Sequence, residues 1–221
     1  MRHTNIAGHE ASLAARRPIA ARESGIARRL ARALLKTSIT PNQISLLSVC
    51  FAATGALALL LAPRWPWLFL AALAGVQLRL LCNLLDGMVA VEGGRASPVG
   101  VLYNEFPDRV ADSMLIVGLG YAAGIPAIGW AGALAAALTA YVRVFGGAIG
   151  QPQDFRGPMA KQHRMALMSV ACALALVEAW STPQRAVLAA AVWILLIGSL
   201  ATCATRTLAL ARSLGQTERE Q

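Results

Sequence analysis

Long apolar stretches alternate with short polar interruptions along most of the chain. Six of these stretches approach the roughly 20 residues with which a helix crosses about 30 Å of hydrocarbon. The pattern predicts spans at residues 43–62, 68–85, 101–123, 127–149, 165–180 and 185–208. Small residues are frequent within the spans, which permits close helix packing. We therefore expect an all-α, polytopic membrane protein with six transmembrane helices.

The segment ahead of the first span is basic and has a helical period. Within residues 20–37, Ile26, Leu30 and Leu34 can share one face while arginines lie toward the others. This pattern predicts an amphipathic helix in the membrane interface, although a solvated basic tail that only sets topology would also fit. The expected organisation is a polar tail at 1–19, the interfacial helix at 20–37, a six-helix catalytic domain at 38–209 and a polar tail at 210–221.

Composition and charge agree with a membrane protein. Apolar residues make up 57% of the chain and charged residues 14%, against about 45–50% and about 25% in soluble domains. Most basic residues flank the spans on one side, so the positive-inside rule places both termini in the cytoplasm. The net charge of +9 is therefore no evidence of nucleic-acid binding. We expect an integral protein of a bacterial inner (plasma) membrane.

Three carboxylates lie beside apolar runs at Asp86, Asp108 and Asp112. Ionisable groups at membrane depth usually face a polar cavity and serve a function there. Asn83 and Asp86 are three residues apart, and Asp108 and Asp112 are four apart, so each pair shares a helix face. Carboxylate and amide oxygens suit Mg²⁺ or Mn²⁺. The sequence predicts two helices that meet around divalent cations at the cytoplasmic boundary, where a pyrophosphate can bind.

The same residues resemble the signature of the CDP-alcohol phosphotransferases, integral membrane enzymes of phospholipid synthesis. That signature reads Asp-x-x-Asp-Gly-x-x-Ala-Arg, eight or nine residues, then Gly-x-x-x-Asp-x-x-x-Asp. The chain departs from it at Asn83, which replaces the first Asp, and at Val91, which replaces the Arg. The resemblance covers most of the chain, including the basic front helix, a Thr-Pro-Asn start to the first span and six spans.

The spacing admits two alignments of the second half of the signature. A strict count from Gly100 puts Asn104 and Asp108 at the last two acidic positions. One extra helical turn puts Asp108 and Asp112 there. We prefer the second alignment, because Asp-Arg-Val-Ala-Asp looks like the usual Asp-x-x-Ala-Asp of the family.

The resemblance implies a role for each matched residue. Asp86, Asp108 and Asp112 would hold Mg²⁺ or Mn²⁺, two ions being the expected number, with Asn83 as a weaker ligand. Asp112 would be the catalytic base, with Asp108 beside it. The remaining candidates, for binding the cytidine diphosphate or the phosphates, are Gly87, Ala90, Arg95, Asn104, Arg109, Lys161 and Arg164. Glu92 or Glu105 would replace the missing negative charge.

Two further basic features remain open on sequence alone. The loop around Arg143, Arg156, Lys161, His163 and Arg164 would bind a phosphate of the acceptor or lipid, or would only obey the positive-inside rule. Residues 157–161 predict a defined turn. Arg79, inside the second span, would snorkel to the headgroups or reach an anionic substrate.

The resemblance implies transfer of a phosphatidyl group, or a related substituted phosphate, from a CDP-linked lipid such as CDP-diacylglycerol to an acceptor alcohol, with release of CMP. Glycerol phosphate, inositol phosphate, serine and a second lipid are all open as acceptors, and the family commonly forms homodimers. One alternative is a catalytically silent relative, motivated by Asn83 and Val91. The other is a small cation- or proton-coupled transporter, which acids gathered at one boundary disfavour.

Overall fold

Seven α-helices make up most of the chain that the computed structural model describes, namely residues 25–95, 97–182 and 184–217. No strand occurs within these residues. The predicted polar tail at 1–19 and the start of the interfacial helix lie outside them. The helices are α1 (Gly25–Leu35), α2 (Pro41–Leu61), α3 (Leu68–Glu92), α4 (Gly100–Ala122), α5 (Pro126–Ala148), α6 (Lys161–Ser181) and α7 (Ala186–Thr217).

Helix α1 lies against the bundle through its smallest side chains. Ala27 and Ala31 are buried in a cluster with residues of α2 and α3, including Ile44 and Met88. Ile26 and Leu30, on the predicted apolar face, are instead exposed. An apolar face turned away from the protein is what an interfacial helix requires. The position of α1 in the membrane interface stays a prediction.

The start of α2 confirms the predicted cap. Gln43 N donates to Thr40 Oγ1 at 3.3 Å, and Thr40 N donates to Gln43 Oε1 at 2.9 Å. This reciprocal pair is a capping box, and Pro41 occupies the first turn, where its missing N–H costs nothing.

Five helices, α2, α3, α5, α6 and α7, are long and apolar enough to cross a membrane. The protein is therefore an integral, polytopic membrane protein. Helix α4, the third predicted span, has 23 residues but carries four charged ones, Glu105, Asp108, Arg109 and Asp112. Because these charges lower its hydropathy, the sixth span stays a prediction.

Several helix boundaries differ from the predicted ones. Helix α3 continues to Glu92 instead of ending near residue 85, so Asp86 and Gly87 lie inside a helix. The apolar pattern stops early because Asn83 and Asp86 face a polar site and not lipid. Helix α6 begins at Lys161, four residues earlier than predicted, and α7 extends to Thr217.

The arrangement of the helices leaves room between α3 and α4. Helix α2 packs along both of them, whereas α3 and α4 have little direct contact with each other. Helix α5 packs against α4 and α7, and α6 packs against α3 and α7. Because successive helices alternate in direction, the starts of α2, α4 and α6 meet the ends of α3, α5 and α7 at one end of the bundle, here called the site end.

Glycine pairs set the closest helix approaches. A Cβ atom on Gly75 of α3 would lie 2.7 Å from Cα of Gly55 in α2. A Cβ atom on Gly120 of α4 would lie 2.5 Å from Cα of Gly129 in α5. No side chain fits at such distances, so the expected close packing through small residues is confirmed.

Candidate active site

Asp86 belongs to α3 and meets the first span. Its Oδ2 atom accepts a hydrogen bond of 2.6 Å from Ser45 Oγ of α2. The residue is only 5% exposed. Asp86 alone of the three carboxylates forms no ion pair among the described residues. It is therefore the carboxylate with the most capacity left for an added cation.

Asp108 connects α4 with α3 and α6. Asn83 Nδ2 donates to its Oδ1 atom at 2.6 Å, and Arg79 Nη2 lies 3.2 Å from the same oxygen. The Oδ2 atom accepts a hydrogen bond from the ammonium group of Lys161, and Arg109 Nη2 lies 3.6 Å away. The two halves of the predicted motif are therefore in direct contact.

Asp112 lies between two buried guanidinium groups. Arg164 Nη2 donates to its Oδ2 atom at 3.1 Å, and Arg79 Nη2 forms a 2.5 Å ion pair with Oδ1 that lacks the alignment of a hydrogen bond. Arg79 is 0% and Arg164 is 1% exposed. Asp112 is near the midpoint of α4, deeper than the early turns at which we expected it.

The three carboxylates share one region, but they do not form a ready-made metal site. Within the described ranges, no three His, Cys, Asp or Glu side chains are grouped closely enough to hold a metal ion. Asn83, expected as a weak metal ligand, uses its amide nitrogen to donate to Asp108. Asn104, the site residue of the strict alignment, is exposed one turn before Asp108.

The other predicted substrate contacts have varied surroundings. Arg95 donates to the backbone carbonyls of Leu35, Thr37 and Ile39 at 3.0–3.2 Å, so its guanidinium holds the end of α1 in this structure. Gly87 and Ala90 are half-buried along α3.

Arg109 and Glu105 lie on the same helix as Asp108. Arg109 is half-buried, and its Nε donates to the carbonyl of Glu105 at 3.4 Å. The carboxylate of Glu105 accepts from Arg143 at 2.6 Å. Glu105 is therefore paired across to α5 and does not replace the negative charge missing at Asn83.

The predicted basic loop divides into two groups of side chains. Lys161 and Arg164 face the carboxylates. Arg143 and Arg156 instead line a cleft of about 100 Å³ together with Arg206 of α7. The exposed His163 contacts only the Pro158 carbonyl, at 2.9 Å, among the contacts of its ring that the structure describes.

An internal ion pair and two backbone contacts shape this cleft. Arg156 donates to Asp154 at 3.0 Å from both Nε and Nη2. Burial raises the pKa of the Asp154 carboxyl, but the hydrogen bonds from Arg156 outweigh it, so that pKa lies below its usual value. Arg206 donates to the carbonyls of Arg156 and Thr139 at 2.8 and 2.7 Å.

The turn before α6 has a defined geometry, as predicted. Gly157 has φ of 124°, a conformation that favours glycine. Met159 N donates to Thr202 Oγ1 of α7 at 2.8 Å, and Met159 and Ala160 are buried. This fixed turn delivers Lys161 and Arg164 to the carboxylates.

Sequence reasoning missed three residues of this region. Arg79 is fully buried, so it does not snorkel, and its pairing with Asp108 and Asp112 was not expected. Its signal was an arginine one turn before Asn83. Arg206 gave a similar signal, a charge inside a long apolar helix. Ser45 gave no signal, because serine is common in such helices.

Comparisons with known proteins agree with these features. No family model matches the chain. It is 26% identical over 193 residues to phosphatidylinositol phosphate synthase of Streptomyces avermitilis, covering 84% of this chain and 78% of that one. It is 33% identical over 144 residues to archaetidylinositol phosphate synthase of Aeropyrum pernix, covering 64% of this chain and 71% of that one.

Solved structures of Mycobacterium tuberculosis phosphatidylinositol phosphate synthase have the same fold. The form with CDP-DAG bound gives a TM-score of 0.69 at 22% identity, over 85% of this chain and 94% of that one. The complex with manganese and citrate gives a TM-score of 0.69 at 21% identity, over 83% and 88%. From its identity to the Aeropyrum pernix enzyme and from the residues that join α3 to α4, the chain belongs to the CDP-alcohol phosphotransferase family of membrane enzymes.

Proposed function

We propose that the chain transfers a substituted phosphate group from a CDP-linked lipid to the hydroxyl of an acceptor alcohol. The acceptor oxygen attacks the phosphorus that carries the lipid. The bond from that phosphorus to the oxygen of CMP breaks, CMP leaves, and the hydroxyl proton passes to a carboxylate. The observation that carries the proposal is the 2.6 Å hydrogen bond from Asn83 to Asp108, which joins the two halves of the family signature in space.

The ion pairs support Asp108 over Asp112 as the base. Both oxygens of Asp112 face the buried guanidinium groups of Arg79 and Arg164, which keep it ionised and covered. Asp108 is paired with Lys161, whose flexible side chain is 22% exposed and can turn to a phosphate instead. A carboxylate released in this way is available to take the proton of the acceptor hydroxyl.

A divalent cation, Mg²⁺ or Mn²⁺, fits the Asp86 side of the site. Magnesium in such enzymes is commonly held by one or two carboxylates together with substrate phosphates and water. Asp86 and Asp108 supply two carboxylates, so the pyrophosphate of the donor would complete the coordination. The bound ion would neutralise charge on the leaving CMP. Ser45 orients Asp86 for this role through its hydrogen bond.

We further propose that the acceptor carries a phosphate of its own, as an inositol phosphate does. Two curated relatives are named as synthases of inositol phosphate lipids. The cleft lined by Arg143, Arg156 and Arg206 lies at the site end and has a positive charge in excess over Asp154. Guanidinium groups are well suited to phosphate oxygens.

The basic residues support a cytoplasmic site end. The ends of α3, α5 and α7 and the segment around α1 carry most of them, and the opposite turns carry Arg64 and Arg185. With α4 as the sixth span, both termini lie on the cytoplasmic side of the membrane. The lipid tails of the donor would lie between the spans.

The test is CMP release by the purified full-length protein. The protein in detergent receives CDP-diacylglycerol, Mg²⁺ or Mn²⁺, and a panel of alcohols and phosphorylated alcohols. We expect CMP release with inositol phosphate, and a decrease of about 10²- to 10⁴-fold in Asp108→Asn, the usual contribution of a general base. Asp86→Asn is expected to be similarly impaired.

The control is Glu178→Gln, which alters a carboxylate at the other end of the bundle, where it accepts from Ala186 N at 2.9 Å. It is expected to keep its rate. No CMP release with any acceptor would contradict the proposal and favour a catalytically silent relative. Full activity of Asp108→Asn would contradict the assignment of the base.

A further inference from the structure

Arg79 lies among the carboxylates that were expected to hold two metal ions. It comes from α3, it is 0% exposed, and its Nη2 atom is 3.2 Å from Asp108 Oδ1 and 2.5 Å from Asp112 Oδ1. One positive atom therefore bridges two carboxylates on a single helix face. That is the place at which a divalent cation would otherwise bring the two carboxylates together.

The remaining oxygens of this pair are also matched with positive charge. Lys161 contacts Asp108 Oδ2, and Arg164 contacts Asp112 Oδ2. Asn83, where the family pattern has an aspartate, contributes an N–H donor and no negative charge. Two carboxylates thus face three cationic side chains. A divalent ion added between them would meet repulsion and little negative charge to offset it.

We infer that the guanidinium of Arg79 is a built-in replacement for one of two divalent cations, so that the chain binds a single divalent ion, on the Asp86 side of the site. This inference rests on the proposed function, because only that function calls for a divalent ion here.

The hydrogen-bond inventory of Arg79 is not that of a purely structural arginine. Its Nε and Nη1 atoms are buried and have no hydrogen-bond partner among the described residues. Buried polar atoms are nearly always paired in folded proteins, and exceptions commonly mark function. A phosphate oxygen of the donor would satisfy these N–H groups, as a second metal ion would otherwise have bound that oxygen.

The experiment counts bound Mn²⁺ per chain. Purified full-length protein in detergent is titrated with Mn²⁺ in the presence of CDP, and free Mn²⁺ is measured by electron paramagnetic resonance. We expect one ion for the wild-type protein, two for Arg79→Gln and one for Arg79→Lys, which keeps the charge. Arg185→Gln, which removes an arginine that donates to the Ala122 carbonyl at the far end of the bundle, should keep one ion.

The possible counts separate the inference from the proposed function. Two ions or none in the wild-type protein, or one ion in a folded Arg79→Gln, overturns the inference. If Arg79→Gln does not fold, as judged by size-exclusion chromatography, the wild-type count decides alone, one ion supporting the inference. CMP release by the same preparation tests the proposed function separately, so a wild-type enzyme that is active with two ions would refute only the role of Arg79.

Discussion

Asp112 carries a buried negative charge whose stability depends on its two arginine partners. Replacing it by Asn would leave Arg79 and Arg164 buried without a counter-ion. Removing one partner of a buried ion pair typically costs about 3–5 kcal/mol. We therefore expect Asp112→Asn to lower the free energy of unfolding by about this amount and to lower the thermal unfolding midpoint in detergent.

The control for this prediction is Asp154→Asn, which breaks an ion pair with the exposed Arg156. Exposed ion pairs contribute little, so its midpoint should change only slightly. Equal midpoints for Asp112→Asn and the wild-type protein would show that Asp112 is not the counter-ion of the two arginines.

At this scale the acids of the site were predictable and their partners were not. Asp86, Asp108 and Asp112 are conspicuous because charge is rare in apolar runs. The cations that pair with Asp108 and Asp112 come from positions 29, 53 and 52 residues away in the chain. Contacts at such separations follow from how the helices pack, which the local pattern does not specify.

Helices α2 and α3 approach each other through the glycine pair Gly55 and Gly75. A valine at position 75 would place its Cβ 2.7 Å from Cα of Gly55, so the helices would have to separate. Overpacking of this kind typically costs about 1–3 kcal/mol. We expect Gly75→Val to lower the thermal midpoint and CMP release together, because α3 carries Asn83 and Asp86.

Gly215→Ala is the matched control, since a Cβ atom at that position of α7 meets nothing within 4 Å. Alanine is the better helix former by about 1 kcal/mol. Its midpoint should be unchanged or slightly raised. A Gly75→Val protein with wild-type stability would refute the close approach of α2 and α3.

Arg95 fastens the end of α1 to the segment after α3. Its guanidinium donates to three carbonyls between Leu35 and Ile39, which have no helical partner of their own. In Arg95→Ala we expect faster amide hydrogen exchange over residues 25–39, measured by mass spectrometry. Arg29→Ala, which changes an exposed residue of α1, serves as control and should exchange as the wild-type protein does. Unchanged exchange in Arg95→Ala would mean that other contacts hold α1.

The existence and type of the helices followed from the sequence more reliably than their ends. Thr40 and Pro41 marked the start of α2 because capping depends only on neighbouring residues. The end of α3 was misjudged because polar residues that face a buried site look like a loop when only hydropathy is considered. Helix α6 began early for the same reason, since Lys161 and Arg164 are polar and face the interior.

The six-span arrangement places both ends of the chain on one side of the membrane. Cysteines introduced at Gly215 and at Trp65 should therefore react with a membrane-impermeant maleimide from opposite sides. We expect Gly215→Cys to be labelled in inverted vesicles and Trp65→Cys in right-side-out vesicles. The wild-type protein controls for the native cysteines. Labelling of both variants from the same side would rule out this topology, with α4 as the first helix to reconsider.

For the whole molecule, chain order and approximate helix number were predictable, but helix neighbours were not. The packing of α2 along both α3 and α4 depends on the shapes of buried faces, and glycines such as Gly118, whose added Cβ would lie 3.1 Å from the Ala56 carbonyl, help to set it. The resemblance to the family supplied this arrangement only as an expectation. The cleft could not be predicted, because Arg206 reaches it from the last helix.

The length of α7 has a consequence for how two unlike substrates reach one site. Its 32 residues extend about 48 Å, well beyond about 30 Å of hydrocarbon, so roughly the last third projects into water. Ser213 on that projection donates to Gln151 at 2.6 Å and holds the wall of the cleft outside the bilayer. A water-soluble acceptor can thus arrive from the aqueous phase while a lipid donor diffuses in sideways, and neither has to cross the path of the other.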